Sequence, residues 1–542
     1  MVSRPWLAHY DSGVPAHLEY PAVPVFHFLD EAARRGPDRP CTIFKDEVIT
    51  YGQMSERTDR LAHALRSLGV RRGRRVGLFM PNCPEFVLAY FAILKAGAAV
   101  VAINPLFTPP EIVEQVNDAG LRTIFAAGAL YERLKTAQTG TPVRHVIVTG
   151  DVDPGAGDLR FDELLGAEPV APAGVGPQDV AILQYTGGTT GIAKGAVALH
   201  RNLVANTLQF KAWMTRLEED QETFLLALPA YHIYGMVCGL LLGMALRASI
   251  VLLPDPRDID ALLANVQKYH VSYFPAVPTL YNAINNHPDV AAGKVDLTSI
   301  KACISGSAPL MKATKDRFES LTGGRICEGY GLSEAPTATH CNPLVGENRL
   351  GSIGLPLPDV DARIISLEDG TSALQPGEPG ELILRSPQIM HGYHHRPDES
   401  RIALKDGWLH TGDIARMDSD GYFYIVDRKK EVIKPGGMQV WPREVEEAIA
   451  AHPQVLEVAV AGIPDEYRGE TVKAWIVVRA GETLTAAEVQ SWCRERLAPF
   501  KVPTIIEFRK QLPKSTVGKI LKRKLLEEEK EQETKLKKGT LE

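Results

Sequence analysis

The amino-acid sequence predicts an α/β protein in which parallel sheets covered by helices are followed by a small antiparallel sheet or barrel and by a separate small domain. Three observations support this fold class. Short apolar strand patterns alternate with helical patterns as far as Gly351, which is typical of parallel sheets with helices on both faces. Short segments divided by Gly, Pro and Asp turns follow, and these favour a small antiparallel sheet or barrel. The stretch after Arg428 has helices and strands of its own and is long enough to fold as a domain.

The alternation can be followed element by element along the chain. Apolar residues at helical spacing predict helices, and short apolar runs between turns predict strands. The tail from Lys522 is rich in Lys and Glu, which predicts a solvated, frayed helix. The expected helices are 54–68, 85–96, 441–451 and 486–497, and the expected strands are 75–80, 99–103, 145–148, 181–184, 249–253, 301–304, 362–365, 381–384, 422–426, 457–461 and 472–478.

Composition excludes several classes of protein. The chain has 542 residues, of which 45% are hydrophobic and 23% charged, and its formal net charge is −6. A globally disordered chain is excluded by this composition, and the slightly acidic balance disfavours a dedicated nucleic-acid binder. The seven cysteines are odd in number, and no Cys-x-x-Cys occurs. We therefore expect neither a disulfide framework nor a zinc ribbon.

The termini and the apolar segments favour a cytoplasmic protein. The N-terminal residues lack the apolar run of a signal peptide, and the C-terminal residues are not a peroxisomal address. The most apolar stretch, 231–246, is shorter than the ~20 residues that span a bilayer. A soluble protein is the expectation.

The strongest local signal is the segment Tyr185-Thr-Gly-Gly-Thr-Thr-Gly-Ile-Ala-Lys-Gly195, which follows a predicted strand. Glycines allow consecutive backbone N–H groups to point at one anion, while the threonine hydroxyls and Lys194 add donors and a positive charge. These features suit a triphosphate. The segment is not a Walker A loop, because Ala193 and not Gly precedes Lys194. A flexible hairpin turn is the alternative interpretation.

Two further segments carry carboxylates in positions that suit a nucleotide. In Glu328-Gly-Tyr-Gly-Leu-Ser-Glu334 a carboxylate beside a hydroxyl suits Mg²⁺, and an aromatic ring between glycines suits stacking of a base. Asp413, in a Thr-Gly-Asp turn, suits the two hydroxyls of a ribose, and Arg428 follows at the end of a predicted strand. Taken singly, Glu334 is more often a solvated loop carboxylate, and Asp413 is more often a residue that caps a turn.

Together these motifs resemble the acyl-adenylate-forming superfamily, which comprises acyl-CoA synthetases, peptide-synthetase adenylation domains and beetle luciferases. The similarity runs in order from residues 49–51 to Lys519. It implies a large N-terminal domain, 1–428, of two layered α/β subdomains plus a small β-barrel, which binds acyl group and ATP. It also implies a small, mobile α+β C-terminal domain, 429–542, that carries the catalytic lysine. ATP and CoA are implied as co-substrates, and Mg²⁺ as the cofactor.

The resemblance also implies a role for individual residues. The catalytic residues are Lys519, Thr186, Glu334 and His232, with Glu334 as the metal ligand and Lys430 as the hinge between the domains. The residues implied to bind ATP or AMP are Thr186, Gly187, Gly188, Thr189, Thr190, Gly191, Lys194, Gly306, Ser307, Ala308, Glu328, Gly329, Tyr330, Gly331, Ser333, Asp413, Ile425, Arg428 and Lys434. The residues implied to bind the acyl group or CoA are His232, Gly306, Gly436, Gly437 and Gln439.

Finer similarities indicate the acid. Residues 183–184, 228–234 and 427–430 resemble long-chain fatty-acyl-CoA synthetases, so we expect a medium- or long-chain fatty acid as the partner, and no nucleic acid. An aryl- or cinnamoyl-type (4-coumarate-like) CoA ligase is the alternative, as is an adenylate-forming ligase that loads another acceptor. A peripheral contact with the inner face of the membrane and a homodimer are left open.

Overall fold

The structure is a computed structural model that describes residues 4–169, 171–186, 194–428, 431–435, 438, 440–465, 468–515 and 520–539, without the side chains of 428 and 532–539. The chain divides into two compact units. The first unit comprises Met1–Ala362, Leu384–Leu409 and Asp420–Tyr422, and the second comprises Arg363–Ile383, His410–Ser419 and Phe423–Glu542. The expected domains 1–428 and 429–542 stay a prediction. They describe which parts of the chain move together, whereas the two compact units describe only which parts pack together.

The strands of the described residues include a counterpart of each predicted strand and further strands that were not predicted. They are Pro40–Phe44 (β1), Glu47–Thr50 (β2), Arg75–Phe79 (β3), Ala99–Ala102 (β4), Thr123–Ala127 (β5), His145–Thr149 (β6), Leu159–Arg160 (β7), Val180–Thr186 (β8), Lys194–Leu199 (β9), Thr223–Leu226 (β10), Ser249–Leu252 (β11), Tyr273–Ala276 (β12), Ala302–Ser305 (β13), Arg325–Leu332 (β14), Ala335–Cys341 (β15), Leu355–Pro356 (β16), Asp361–Ile365 (β17), Gly380–Arg385 (β18), Gly392–Tyr393 (β19), Leu404–Lys405 (β20), Trp408–Met417 (β21), Phe423–Arg428 (β22), Val455–Asp465 (β23), Gly469–Val478 (β24) and Ile505–Phe508 (β25).

Helices separate most of these strands. They are His27–Arg35 (α1), Tyr51–Ser67 (α2), Pro84–Lys95 (α3), Pro109–Ala119 (α4), Tyr131–Gln138 (α5), Phe161–Leu164 (α6), His200–Trp213 (α7), Ile233–Gly235 (α8), Leu242–Leu246 (α9), Ile259–Tyr269 (α10), Pro278–Asn285 (α11), Pro288–Ala291 (α12), Lys312–Thr322 (α13), Pro397–Ala403 (α14), Pro442–Ala450 (α15), Ala486–Arg494 (α16) and Lys522–Gly539 (α17). The start of α2 is fixed by a capping box, in which Thr50 and Gln53 bond each other's backbone N–H.

Two large sheets form the first unit and confirm the α/β fold class. One has nine strands in the order β16-β15-β14-β13-β12-β10-β11-β1-β2, and the other has eight in the order β19-β9-β8-β4-β3-β5-β6-β7. The strands at the centre of each sheet are parallel. Antiparallel strands are added at the edges, where β14 pairs with β15 and β8 pairs with β9. Several predicted site residues, including Thr186, Lys194 and Tyr330, lie on these antiparallel additions.

The apolar stretch that the sequence analysis compared with a membrane span lies inside the first unit. It forms α8, a π-helix over Met236–Leu241, and α9, and all of these residues are buried. Its helical glycines leave no room for a side chain, since a Cβ on Gly243 would come 2.7 Å from a side-chain carbon of Ile250 in β11. In the part of the chain that the structure describes, no helix is long and apolar enough to cross a bilayer.

The region predicted to hold a small antiparallel sheet or barrel contains a five-stranded sheet. Its order is β17-β18-β21-β20, with β22 paired to β21. The antiparallel pairing of β21 with β22 sets Asp413 opposite Arg428 and Ala415 opposite Ile425.

The second unit ends in a three-stranded sheet, β23-β24-β25, packed with α15 and α16. The expectation of a purely solvated tail is wrong for the first half of α17. Leu525 is completely buried, Glu529 forms an ion pair with Lys473 (2.5 Å), and Glu528 forms one with Arg509 (2.6 Å). Two adjacent leucines, Leu525 and Leu526, lie among the Lys and Glu residues and pack in the apolar cluster of the sheet, and their burial fixes the helix on the sheet.

Candidate adenylation site

The residues on either side of the predicted phosphate loop lie next to each other. Strand β8 ends at Thr186 and β9 begins at Lys194, and these two residues are paired across the antiparallel ladder, as are Tyr185 and Gly195. Gly187, Gly188, Thr189, Thr190 and Gly191 lie outside the described residues. The β8–β9 ladder thus holds the two ends of this predicted phosphate-binding segment next to each other.

The stem of this loop is anchored through Tyr185. Its hydroxyl donates to Asp118 Oδ2 at 2.6 Å, and Arg396 holds the other oxygen of the same carboxylate at 3.0 Å. The ring lies against Gly195, where a Cβ would come 3.2 Å from the ring. Burial and the Asp118 carboxylate raise the pKa of Tyr185, so the phenol stays protonated and remains a donor.

Glu334, the predicted metal ligand, and Lys194, at the end of the predicted phosphate loop, both contact one tyrosine. Tyr393 donates its hydroxyl to Glu334 Oε1 at 2.7 Å, and Lys194 Nζ lies 5.3 Å from the centroid of the same ring. Burial and the Glu334 carboxylate raise the pKa of Tyr393, which keeps the phenol protonated. The sequence analysis missed Tyr393 because its role arises from pairing of β19 with β9, far away along the chain. No local pattern marks it.

The predicted adenine-binding segment follows the carboxyl end of β13. Gly306 packs on the ring of Tyr234, which a Cβ would approach to 3.2 Å, and Tyr234 donates its hydroxyl to the carbonyls of Ala276 and Ile304. Ser307 has a φ of +70°, in the left-handed region that few non-glycine residues adopt. Ala308 follows it in the same turn. Residues 306–308 thus leave the sheet edge in a fixed, tight turn.

The predicted stacking segment lies on β14, and its glycines have a second purpose. Glu328 is buried and accepts from the N–H of Leu310. A Cβ on Gly331 would overlap the carbonyl oxygen of Thr337, and one on Gly329 would come 3.2 Å from the carbonyl oxygen of His340. The glycines therefore allow β15 to pair closely with β14, whatever they contribute to an open face.

The aromatic ring of this segment, on Tyr330, and its hydroxyl, on Ser333, lie near the end of β14. Tyr330 is half-buried and meets His340 edge to face, with centroids 6.0 Å apart. Ser333 lies in the turn that joins β14 to β15, directly before Glu334.

His232 lies at the start of the buried helical run. It is half-buried and caps α8, and its Nδ1 accepts from the N–H of Tyr234 at 3.3 Å. Burial lowers the pKa of His232 to about 4. A neutral ring whose Nδ1 accepts carries its proton on Nε2, so His232 presents an uncharged N–H donor at neutral pH.

In the second unit, the predicted ribose pair lies on neighbouring strands. Asp413 is buried, and its N–H donates to Thr411 Oγ1 at 3.1 Å. Gly412 has a φ of +71°, which glycine adopts without strain, and this turn brings Asp413 opposite Arg428. Ile425 is half-buried on the same strand as Arg428.

Lys434 lies in the first of two short loops in the second unit, each closed by a single β-bridge. A bridge between Ile433 and Val440 closes the first, where Lys434 is exposed and its N–H donates to Glu470 at 2.7 Å. A bridge between Lys514 and Ile520 closes the second. Lys430, Gly436, Gly437, Gln439 and Lys519 lie outside the described residues.

Comparison with known proteins establishes the family. Residues 29–394 match the family of AMP-binding enzymes, and residues 444–519 match the AMP-binding enzyme C-terminal domain. The chain belongs to this family. The predicted resemblance is therefore confirmed, and with it the class of enzyme, an AMP-forming acid–thiol ligase that uses ATP and CoA.

Individual relatives cover nearly the full length of the chain. A long-chain-fatty-acid–CoA ligase of Bacillus subtilis (strain 168) is 40% identical, over 97% of this chain and 98% of the relative. The 4-coumarate–CoA ligase 3 of Oryza sativa subsp. japonica is 35% identical, over 90% and 89%. Among solved structures, the anthranilate CoA ligase AuaEII in complex with anthranoyl-AMP has a TM-score of 0.85 and 29% identity, over 94% and 98%.

Proposed function

We propose that the chain is an ATP-dependent fatty-acyl-CoA synthetase that activates a medium- or long-chain fatty acid. The observation that carries the proposal is the meeting of Lys194 and Glu334 at Tyr393, beside a loop whose two ends are paired. The relative from Bacillus subtilis, named as a long-chain-fatty-acid–CoA ligase and similar over 97% of this chain, supports the choice of acid.

The first half-reaction joins the acid to AMP. A carboxylate oxygen attacks the α-phosphorus of ATP, the bond from that phosphorus to the bridging oxygen breaks, and pyrophosphate leaves. Lys194 and the loop N–H groups offset the charge of the pyrophosphate, and the Nε2–H of neutral His232 donates to the acyl carboxylate. Lys519 neutralises charge at the α-phosphate. Catalysis of this kind acts by positioning and by charge, without a covalent enzyme intermediate.

Glu334 suits the magnesium ion that the family implies. Mg²⁺ is usually bound by one or two carboxylates together with substrate phosphates and waters, and Glu334 offers one carboxylate with a second oxygen beyond the one that Tyr393 engages. The part of the chain that the structure describes holds no group of three or more His, Cys, Asp or Glu residues that could bind a metal. Bound with ATP, the ion would supply positive charge to the pyrophosphate.

The second half-reaction transfers the acyl group to CoA. The thiolate attacks the acyl carbonyl, the bond from that carbon to the AMP oxygen breaks, and AMP leaves. We infer that the C-terminal domain turns about Lys430 between the two steps, which removes Lys519 and brings Gly436, Gly437 and Gln439 to the thiol path. Asp413 and Arg428 hold the ribose in both steps. A hinge rotation that separates two half-reactions is a known kind of domain motion.

The preference for a long acid is tested by a pyrophosphate-release assay across acids of rising chain length, with CoA present. The buried run 233–246 contains no charged residue, and each CH₂ that becomes buried contributes about 0.8 kcal/mol, roughly fourfold in affinity. We expect kcat/KM to rise with chain length until the pocket is full. Acetate is the control acid, and AMP, not ADP, is the expected nucleotide product.

The alternatives give different results in the same assay. A clear preference for benzoate or cinnamate over every fatty acid would favour the aryl- or cinnamoyl-type ligase and contradict the proposal. Pyrophosphate release without acyl-CoA formation would favour another acceptor, and ADP formation would indicate a kinase or ATPase. The peripheral membrane contact and the homodimer stay predictions of the sequence.

A further inference from the structure

We propose that Tyr393 is a positioning residue that holds the metal carboxylate Glu334 and the loop lysine Lys194 in one fixed arrangement for the magnesium–nucleotide complex. This inference rests on the proposed function. It goes beyond it because neither sequence motif includes Tyr393, which lies on a separate two-residue strand, Gly392–Tyr393.

The backbone of Tyr393 is fixed on the lysine strand. In the ladder between β19 and β9, Tyr393 pairs with Ala196. The N–H of His391 donates to the carbonyl of Val197 and that of His394 to the carbonyl of Gly195, both at 2.8 Å. The N–H of Tyr393 itself donates to Ser400 Oγ at 2.8 Å. The backbone of Tyr393 is therefore held beside the strand that begins at Lys194.

The same short segment holds Glu334 at two points. The N–H of Met390 donates to the carbonyl oxygen of Glu334 at 2.8 Å, and the Tyr393 hydroxyl donates to its carboxylate at 2.7 Å. A free glutamate side chain samples several rotamers, and fixing it costs conformational entropy. The contacts from 390 and 393 meet that cost before any ligand binds, and Oε2 of the carboxylate keeps its lone pairs for a metal ion.

The ring of Tyr393 acts on the lysine. An ammonium within about 6 Å of an aromatic centroid is attracted to the ring face, and Lys194 Nζ lies at 5.3 Å. The side chain of Tyr393 thus contacts the Glu334 carboxylate through its hydroxyl and the Lys194 ammonium through its ring. Each of the two charged groups therefore has its own contact with Tyr393.

The test uses Tyr393→Phe, which removes the hydroxyl and keeps the ring. Tyr20→Phe is the matched control, because Tyr20 is also half-buried in the first unit and also donates to a carboxylate, Asp359, at 2.7 Å. A hydrogen bond to a charged group is worth more than a neutral one. We expect Tyr393→Phe to raise the Mg²⁺ concentration for half-maximal pyrophosphate release about tenfold, while kcat at saturating Mg²⁺ changes less than threefold.

A binding measurement separates this role from activity. By calorimetry, Tyr393→Phe should weaken binding of ATP with Mg²⁺ about tenfold and leave binding of ATP in EDTA unchanged. Tyr393→Leu, which also removes the ring, should weaken binding in EDTA two- to fivefold, because Lys194 loses its ring contact. In Glu334→Gln, the added Tyr393→Phe change should have no further effect on the Mg²⁺ dependence.

Equal Mg²⁺ dependence in wild type and Tyr393→Phe would overturn the inference, as would an equal shift in Tyr20→Phe. The proposed function fails in a different way, namely if the wild type releases no pyrophosphate with any acid. In that case the calorimetric comparison still tests Tyr393.

Discussion

At the residue scale, His232 shows how burial selects one protonation state. Burial lowers its pKa to about 4, from an ordinary value near 6.5, so the ring is uncharged at neutral pH. The bond from the Tyr234 N–H to Nδ1 then fixes the proton on Nε2. Only the family resemblance predicted a role for His232 at the substrate.

We therefore expect His232→Ala to weaken binding of the fatty acid and to leave the pH dependence of kcat/KM unchanged. We expect KM for the fatty acid to rise about tenfold, the scale of one lost hydrogen bond to a charged group, with a smaller change in KM for ATP. Because the folded pKa lies near 4, kcat/KM of the wild type should show no histidine titration near pH 6.5 that His232→Ala removes. His17→Ala, at an exposed site, is the control. Loss of an inflection near pH 6.5 in His232→Ala would contradict the assignment.

The residue scale also marks the limit of the sequence. The nucleotide-binding role of Gly331 stays a prediction, and the structure gives this glycine a second purpose that no local pattern shows, the close approach of the Thr337 carbonyl. Tyr393 was not predicted, because its partners Glu334 and Lys194 come from two different segments. A local sequence pattern can identify residues whose partners are close along the chain. Residues such as Tyr393, whose partners are brought close by strand pairing, cannot be identified in this way.

At the element scale, two carboxylates from other segments hold the first residue of α17. Lys522, its first residue, forms ion pairs with Glu446 (2.8 Å) and Glu431 (3.3 Å). Burial by itself lowers the pKa of Lys522, but the two carboxylates outweigh that effect and the pKa is raised, so the ammonium stays charged. Glu431 directly follows the predicted hinge residue Lys430. The start of α17 is thus tied to the segment beside the hinge.

Two neighbouring lysine and arginine variants test this anchor. Lys522→Ala should lower the free energy of unfolding of the second unit by about 2 kcal/mol, because it leaves two partly buried carboxylates without their cation. Arg523→Ala should change it by less than about 0.5 kcal/mol, since the pair of Arg523 with Glu527 is exposed and one helical turn apart. Urea unfolding followed by tryptophan fluorescence measures both. Equal effects of the two variants would show that the ion pairs of Lys522 do not anchor α17.

At the scale of the whole molecule, most of the fold follows from simple patterns. The alternation of apolar strands with helices predicted the parallel sheets of the first unit, and those sheets are confirmed. Non-local pairings, such as that of β19 with β9, were not predictable, because a two-residue strand has no periodicity. The order of the motifs predicted the family correctly, since five short segments in one order carry far more information than any one of them.

The central claim concerns the whole molecule as well, because one chain is proposed to use Lys519 in the first half-reaction only. The most direct measurement compares Lys519→Ala with wild type in two assays, pyrophosphate release from acid and ATP, and acyl-CoA formation from presynthesised acyl-adenylate and CoA. Lys510→Ala, at an exposed position of the same unit, is the control and should match wild type in both.

We expect Lys519→Ala to lose on the order of 10²–10³ in kcat of the first assay, by analogy with removal of one donor to a developing charge, with little change in KM for ATP. In the second assay it should be nearly as fast as wild type. An equal loss in both assays would contradict the account, because Lys519 would then support folding or docking of the domain and not one of two separate steps.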